Sequence, residues 1–467
     1  MDLMSSPLWT SDEIATATGG SAAHDFAVSG VSIDTRSVEP GDLFIALAGA
    51  RDGHEFVEQA LAKGAAGALV SQPTSGPGVQ VGDTFAALEA LGVAARVRAA
   101  QVRRGAVTGS VGKTSVTQAV RAGLMLAGRG HSSIKSYNNH IGVPLTLARM
   151  ARDTERAVFE IGMNHADEIG PLSQMVRPHV VAITTVGPVH TENFPDGEVG
   201  VARAKAEIFT GLEPGGIAIL NADNSWFDYL AAEARKAGAE VRSFGYGERC
   251  EARVTKFTPG QDQARIAAAF RGKALEFPIL QTGHHWGSNS MAVLLMLDAL
   301  GVSLEVGIAA LGSFEPLEGR GAEVSVSLPA GVFTLIDESY NANPISMTAA
   351  FTTLGARATR GRRVVALTDM LELGVEGPSY HAALAQSLDL TGIDQVFCAG
   401  PLMKSLWEAL PSTRRGGYAE SAAELAPQIA RAVEPGDLVM VKGSNGSKAS
   451  AVVAALKALD VVSAGGR

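Results

Sequence analysis

Cysteine is almost missing from this 467-residue sequence. Only Cys250 and Cys398 occur, far apart in the chain, so neither a disulfide framework nor a cysteine metal site can be built and a reducing compartment is expected. A basic excess is missing too: 39 Lys and Arg stand against 48 Asp and Glu, a net charge of −9, which argues against a broad nucleic-acid surface. It leaves open a local grip on phosphate. Long hydrophobic runs are absent. The stretches Met291–Val302 and Ala449–Val462 are interrupted by Asp298 and by Lys457 and Asp460, short of the roughly 18 apolar residues that a membrane span needs. Met1–Thr10 has no basic start and no apolar segment, so no secretory signal is expected. Repeats and low-complexity tracts are lacking. These absences point to a soluble, cytoplasmic chain with neither membrane nor nucleic acid among its partners.

What is present is a globular composition, 46% hydrophobic and 19% charged, in a chain too long for one core. Turn signals and periodicity divide it into three α/β segments. Residues 1–83 read as a small unit, with short strands at Val31–Asp34, Leu43–Ala46 and Ala68–Ser71 and a helix at Glu55–Lys63. A long Ala-rich helix, Phe85–Gln101, then carries the chain away from it. Residues 84–316 alternate strands and helices as a mostly parallel sheet requires, with antiparallel strands over Val254–Phe277. Residues 317–467 repeat the alternation and read as a Rossmann-like unit.

The central segment opens with Ala106-Val-Thr-Gly109-Ser110-Val111-Gly112-Lys113-Thr114-Ser115, a strand, a glycine turn and a helix start. Backbone N–H groups of such a turn converge on phosphate oxygens, and the helix dipole favours the anion. Lys113 supplies charge for the terminal phosphates and Thr114 a hydroxyl for Mg²⁺. Val107 stands where the long form of this loop has its first glycine, so the loop is a shortened one. Kinase, hydrolase and ligase chemistry all remain open to it.

Three further polar residues follow later strands, where ligands collect in open α/β sheets. Glu160 ends the strand Arg156–Glu160, a position suited to a metal-holding carboxylate. His190 follows the Val180–Thr184 strand, and Lys205 lies on the Ala202–Thr210 helix. Taken singly, each is more often an ordinary strand-end, structural or solvated residue.

Read together, these pieces resemble the Mur ligase family over nearly the whole chain. Thr108–Thr114 is similar to that family's shortened phosphate loop, and Gly283-His-His-Trp-Gly-Ser-Asn289 to its adenine-side motif. Asp34-Thr-Arg36, Gly41-Asp-Leu-Phe-Ile-Ala46 and Asp52-Gly-His54 are similar to its first-domain pattern. Asn138-Asn-His-Ile-Gly-Val-Pro144, Val186-Gly-Pro-Val-His190, Ser339-Tyr-Asn-Ala-Asn-Pro344 and Asp369-Met-Leu-Glu-Leu-Gly374 resemble the signatures of the member that adds D-alanyl-D-alanine.

The resemblance implies a UDP-substrate-binding first domain, a central ATP-binding domain and a third domain that closes on the nucleotide and receives the dipeptide, in a monomer. It implies that ATP phosphorylates the terminal carboxylate of a UDP-N-acetylmuramoyl-tripeptide and that the amine of D-alanyl-D-alanine attacks the acyl phosphate. ATP would be held by Gly109–Ser115, Asn289 and Arg320, with the ribose contact open between Asp337 and Glu338. Trp286 offers a ring to stack on adenine. The UDP-linked substrate would be held by Ser32, Asp34, Thr35, Arg36, Asn138 and Asn139. Two Mg²⁺ ions are implied, one at Thr114 and Glu160 and one at His190 and a carbamylated Lys205, with Lys113, Lys205, His190 and Glu160 as the catalytic set. Hinges are expected near Asp83 and Glu315–Gly321. A sister ligase adding one amino acid, folylpolyglutamate synthase and a non-catalytic nucleotide-binding scaffold are the alternatives.

Overall fold

The computed structural model describes residues 6–461 except 50, 135, 261 and 262; half of the Met1–Thr10 segment, and Val462 at the end of the second apolar stretch, lie outside the described residues. Its strands form three main sheets and a two-stranded ribbon.

The first sheet orders Ser21–Ala22, Gly78–Gln80, Gly67–Val70, Asp42–Ile45 and Gly30–Ser32, parallel except at the first edge. Its central strands are buried along their whole length, so they read as short apolar runs rather than alternating ones.

The central sheet has nine strands. From one edge they run Lys273–Ile279, Ala264–Phe270, Ala252–Pro259, Glu240–Gly245, Ile217–Asn221, Val180–Ile183, Arg103–Thr108, Arg156–Glu160 and Gly130–Ser132. The first two pairings are antiparallel and the rest parallel. Strand order reverses beside Arg103–Thr108, and in open sheets ligands bind at such a reversal, outside the carboxyl ends of the strands. Apolar cores cover both faces.

The third sheet orders Ala322–Leu328, Gly331–Glu338, Leu438–Lys442, Arg363–Thr368, Gln395–Ala399 and Arg415–Ala419. It is parallel after the opening hairpin and is also packed on both faces. Among the described residues no helix is long and apolar enough to cross a membrane.

One expectation fails in an instructive way. The helix after Asp83 runs Thr84–Arg98 and does not lead the chain away. Its Leu88, Leu91 and Ala95 share one buried cluster with Ile14 and Leu43 of the first unit and with Leu145 and Ala148 of the central helix Gly142–Ala148. The indole N–H of Trp9 donates to Ala148 O at 2.9 Å. Arg98 donates to Leu8 O and Met150 O, with its guanidinium 3.6 Å from the Trp9 ring centroid. An Ala-rich helix with a weakly marked apolar side looks like a spacer in sequence, yet small side chains let two neighbours approach it closely. Asp83 caps this helix through Phe85 and Ala86 N–H and is no free hinge.

The shared core makes an expected outcome. Leu145→Ala removes a fully buried side chain at a cost of about 2–5 kcal/mol. Denaturant unfolding followed by intrinsic fluorescence should then resolve an early transition of the first unit, whereas in the unaltered protein it unfolds together with the central unit.

Candidate functional site

The strand Arg103–Thr108 ends in a turn that only glycine fits at two points. Gly109 has φ +147, and a Cβ there would stand 1.9 Å from Thr184 Oγ1; Gly112 has φ +87. Both conformations are ones that side-chain-bearing residues avoid. The turn is fastened by Ser110, whose N–H donates to Thr185 O and whose hydroxyl is within 3.1 Å of Gly187 O and accepts from Gly187 N–H. The helix begins at once, at Lys113, so Lys113, Thr114 and Ser115 fall in its first turn, where backbone N–H groups lack partners. Lys113 Nζ donates to Gly109 O at 2.7 Å, folding back over the cradle.

Neighbouring strands bring the other polar groups here. Glu160 ends the strand paired alongside, opposite Val107. It is 1% exposed; Oε1 accepts from Asn138 Nδ2 at 2.7 Å and Oε2 has no partner. The Thr114 hydroxyl is 2.9 Å from that of Ser136. His190 stands after the other flanking strand with φ +53. Lys205, 2% exposed, is held well below the usual lysine pKa by burial and then by the charge of Lys113. Burial also lowers Lys113, with Arg320 adding to the shift and Glu160 opposing it. His190 is lowered by burial, partly offset by Glu372.

The third unit closes the site. Glu372, with φ +64, sets its carboxylate against His190 Nδ1. Thr191 Oγ1 donates to Leu373 O at 3.4 Å, and Ile345 packs so closely on Gly187 that a Cβ there would stand 1.9 Å from its Cδ1. Between the units lies a cavity of about 1280 Å³, walled by Ser110–Ser115, Asn138, Asn139, Glu160, His190, Asn289, Arg320, Glu338 and Lys442. Arg320 rests 4.2 Å from the Tyr340 ring centroid.

The structure divides some of the groups read together in sequence. Asp337 is buried and accepts from both the N–H and the hydroxyl of Ser339, while Glu338 borders the cavity and pairs with Lys442 Nζ at 3.1 Å. Asn289 lies beside the phosphate loop, its Oδ1 3.4 Å from where a Gly112 Cβ would be. Trp286 is 4% exposed, packs on Phe314 of the central core and borders the cavity.

Ser32 ends a first-sheet strand and Asp34, Thr35 and Arg36 follow it; none borders the cavity that Asn138 and Asn139 line. There Arg36 pairs with Asp34, and Ser32 Oγ donates to Asp34 O. Sequence reading missed Ser136 and Lys442. No spacing marks Ser136, 22 residues from Thr114; Lys442 could have been found as the last residue of a parallel strand.

Among the described residues no three of His, Cys, Asp and Glu converge to cage a metal. A lone carboxylate oxygen and a hydroxyl on the wall of one cavity suit Mg²⁺, which takes one or two protein oxygens and completes its shell with water and phosphate.

An open α/β sheet with a glycine phosphate loop at its strand reversal, capped by a second parallel-sheet unit, defines a nucleotide-handling enzyme of several units. The chain belongs to the Mur ligase family: family models match it as the Mur ligase family catalytic domain over residues 27–111, the Mur ligase middle domain over 107–297 and the Mur ligase glutamate ligase domain over 324–445.

It is similar to the UDP-N-acetylmuramoyl-tripeptide–D-alanyl-D-alanine ligase of Rickettsia prowazekii, 30% identical over 96% of this chain and 99% of that one. The enzyme of that name from Escherichia coli is 33% identical over 93% and 94%. Among solved structures it resembles MurF from Acinetobacter baumannii, with a TM-score of 0.84 at 28% identity over 96% and 99% of the two chains. The MurF ligase of Thermotoga maritima in complex with ADP shares the fold, with a TM-score of 0.76 at 21% identity over 92% and 97%.

The geometry of the turn sets an expected outcome. Gly109→Ala must move Thr184 or open the loop, and calorimetric ADP affinity should fall at least about 100-fold, as for a site misplaced by an ångström.

Proposed function

We propose that this protein joins D-alanyl-D-alanine to a UDP-N-acetylmuramoyl-tripeptide at the expense of ATP, in cytoplasmic synthesis of peptidoglycan precursors. The observation that carries the reading is a single cavity walled by a phosphate loop on one side and by the strand ends of the third unit on the other, in a chain colinear with relatives of that activity over nearly its full length.

The terminal carboxylate of the tripeptide attacks the γ-phosphorus of ATP, forming a carboxyl–phosphate bond and releasing ADP. The amine of the dipeptide then attacks the acyl carbon, the C–O bond breaks, and phosphate leaves as the amide forms with loss of one proton. The first step presses an anion against a polyanion, so cations must dominate the field. Lys113 and the loop N–H groups neutralise and orient the β- and γ-phosphates, and Arg320 approaches them from the connection into the third unit. Thr114 and Glu160 would hold one Mg²⁺, and His190 with Lys205 a second; bound there, the ions screen charge between nucleotide and carboxylate. Docking of the third unit excludes water from the acyl phosphate. Ser32, Asp34, Thr35 and Arg36 take the UDP end.

As an ammonium Lys205 has no lone pair for a metal, and Mg²⁺ prefers oxygen to an amine nitrogen, so the form suited to the ion is the carbamate. Its depressed basicity supplies the neutral amine that adds to CO₂, forming an N–C bond and releasing one proton to give a carbamate.

Coupled phosphate-release assays test the activity. Release should require both the UDP-linked tripeptide and D-alanyl-D-alanine. Release with a single amino acid instead would identify a sister ligase, and none at all a binding scaffold. For the carbamate, Lys205→Ala should lose activity at least about 100-fold and regain part of it with short carboxylic acids, while ¹³CO₂ should give a carbamate resonance in the unaltered protein only. A Lys205 that carries no carbamate under CO₂, with no rescue of the alanine variant, contradicts that role.

A further inference from the structure

Asn138 resembles a family signature and was grouped with the first-unit loop as a contact for the UDP-linked substrate. Its surroundings say otherwise. Its side-chain N–H donates at 2.7 Å to Oε1 of the buried Glu160, and its backbone carbonyl accepts from Gly162 N–H at 2.8 Å. The amide group lies over the Gly162 α-carbon: a Cβ at Gly162 would stand 2.9 Å from Asn138 Cγ, 3.0 Å from Oδ1 and 3.1 Å from Nδ2. Real Cβ atoms do not approach three side-chain atoms so closely, so this placement of Asn138 requires a glycine two residues beyond Glu160.

The rest of the segment behaves in the same way. Asn139 Oδ1 accepts from Ile141 and Gly142 N–H, fixing it to the following helix. Ser136 touches the Thr114 hydroxyl. One short stretch therefore touches both Thr114 and Glu160, the pair assigned to one cation. A carboxylate with two free oxygens turns about its last bond; with Oε1 tied, Oε2 is aimed, and Oε2 is the oxygen left without a partner.

We infer that Asn138 is a positioning residue for Glu160, presenting Oε2 to a divalent cation, and that Gly162 is the bare position that lets it do so. The inference rests on the assignment of Glu160 to a metal.

The test uses the full-length protein loaded with ADP and titrated with Mn²⁺, the free ion being followed by paramagnetic resonance, beside calorimetric binding of the UDP-linked tripeptide. Asn138→Leu keeps the size and removes the donor. Gly162→Ala leaves Asn138 in the sequence and displaces its amide. Each should weaken Mn²⁺ binding about 10- to 100-fold, the cost typical of losing a group that orients a metal ligand, with precursor affinity within about twofold of the unaltered protein.

Unchanged Mn²⁺ affinity in Gly162→Ala overturns the inference, even if Asn138→Leu fails to fold. A fall in precursor affinity with Mn²⁺ binding intact overturns it too and returns Asn138 to the substrate. An unaltered protein that takes up no Mn²⁺ with ADP overturns it together with the metal assignment. Neither readout involves amide formation, so the result is independent of the ligase reading.

Discussion

Two lysines sharing one partly dehydrated pocket set the terms for everything else in this molecule. Burial and then the charge of Lys113 lower Lys205 toward the neutral amine, while on the buried Lys113 Arg320 adds to the lowering and Glu160 opposes it. Dehydrated charges without counterions are expensive, so such a cluster persists only if something anionic belongs there. A nucleotide triphosphate beside a carboxylate supplies that anion. The narrow glycine turn, the orphaned carboxylate oxygen and the strand ends that converge on the cavity are then parts of one arrangement for holding negative charge.

The same arrangement explains why the units are joined so differently. The first and central units share an uninterrupted apolar core through Leu91, Leu145 and Ala148, and parting them would expose it. The central and third units meet through polar or sparse contacts: Glu372 on His190, Thr191 on the Leu373 carbonyl, Ile345 over a bare glycine. Such a seam opens at little cost to hydration. An enzyme that must admit two large anionic substrates and then shut out water needs one firm joint and one yielding joint, and these surfaces provide them. His190 and Glu372 both carry left-handed backbone, and strain of this kind persists where surrounding contacts hold it.

Much of this was legible in the amino-acid order, for identifiable reasons. The phosphate loop is local: glycine conformations, a lysine and a helix start occur within seven residues, so spacing alone reveals it. Strand-end residues such as Glu160 were reachable because parallel strands are short apolar runs with abrupt polar ends. What escaped was whatever depends on distant partners. Trp286 reads as a stacking ring, and its packing against Phe314 could not be read from spacing. Asp337 and Glu338 are adjacent, and the alternation of a strand sends one toward Ser339 and the other to the cavity. The Thr84–Arg98 helix looked like a spacer because alanine is equally at home on a surface and in a tight contact.

The central claim is that the carboxylate of the muramyl peptide is activated by taking the γ-phosphoryl group before the amine arrives. Labelling both oxygens of that carboxylate with ¹⁸O and weighing the phosphate released during a ligation turnover tests it most directly. One ¹⁸O per phosphate, with the other retained in the new amide, is the expected result. Phosphate free of label, formed in step with the amide, would contradict the account.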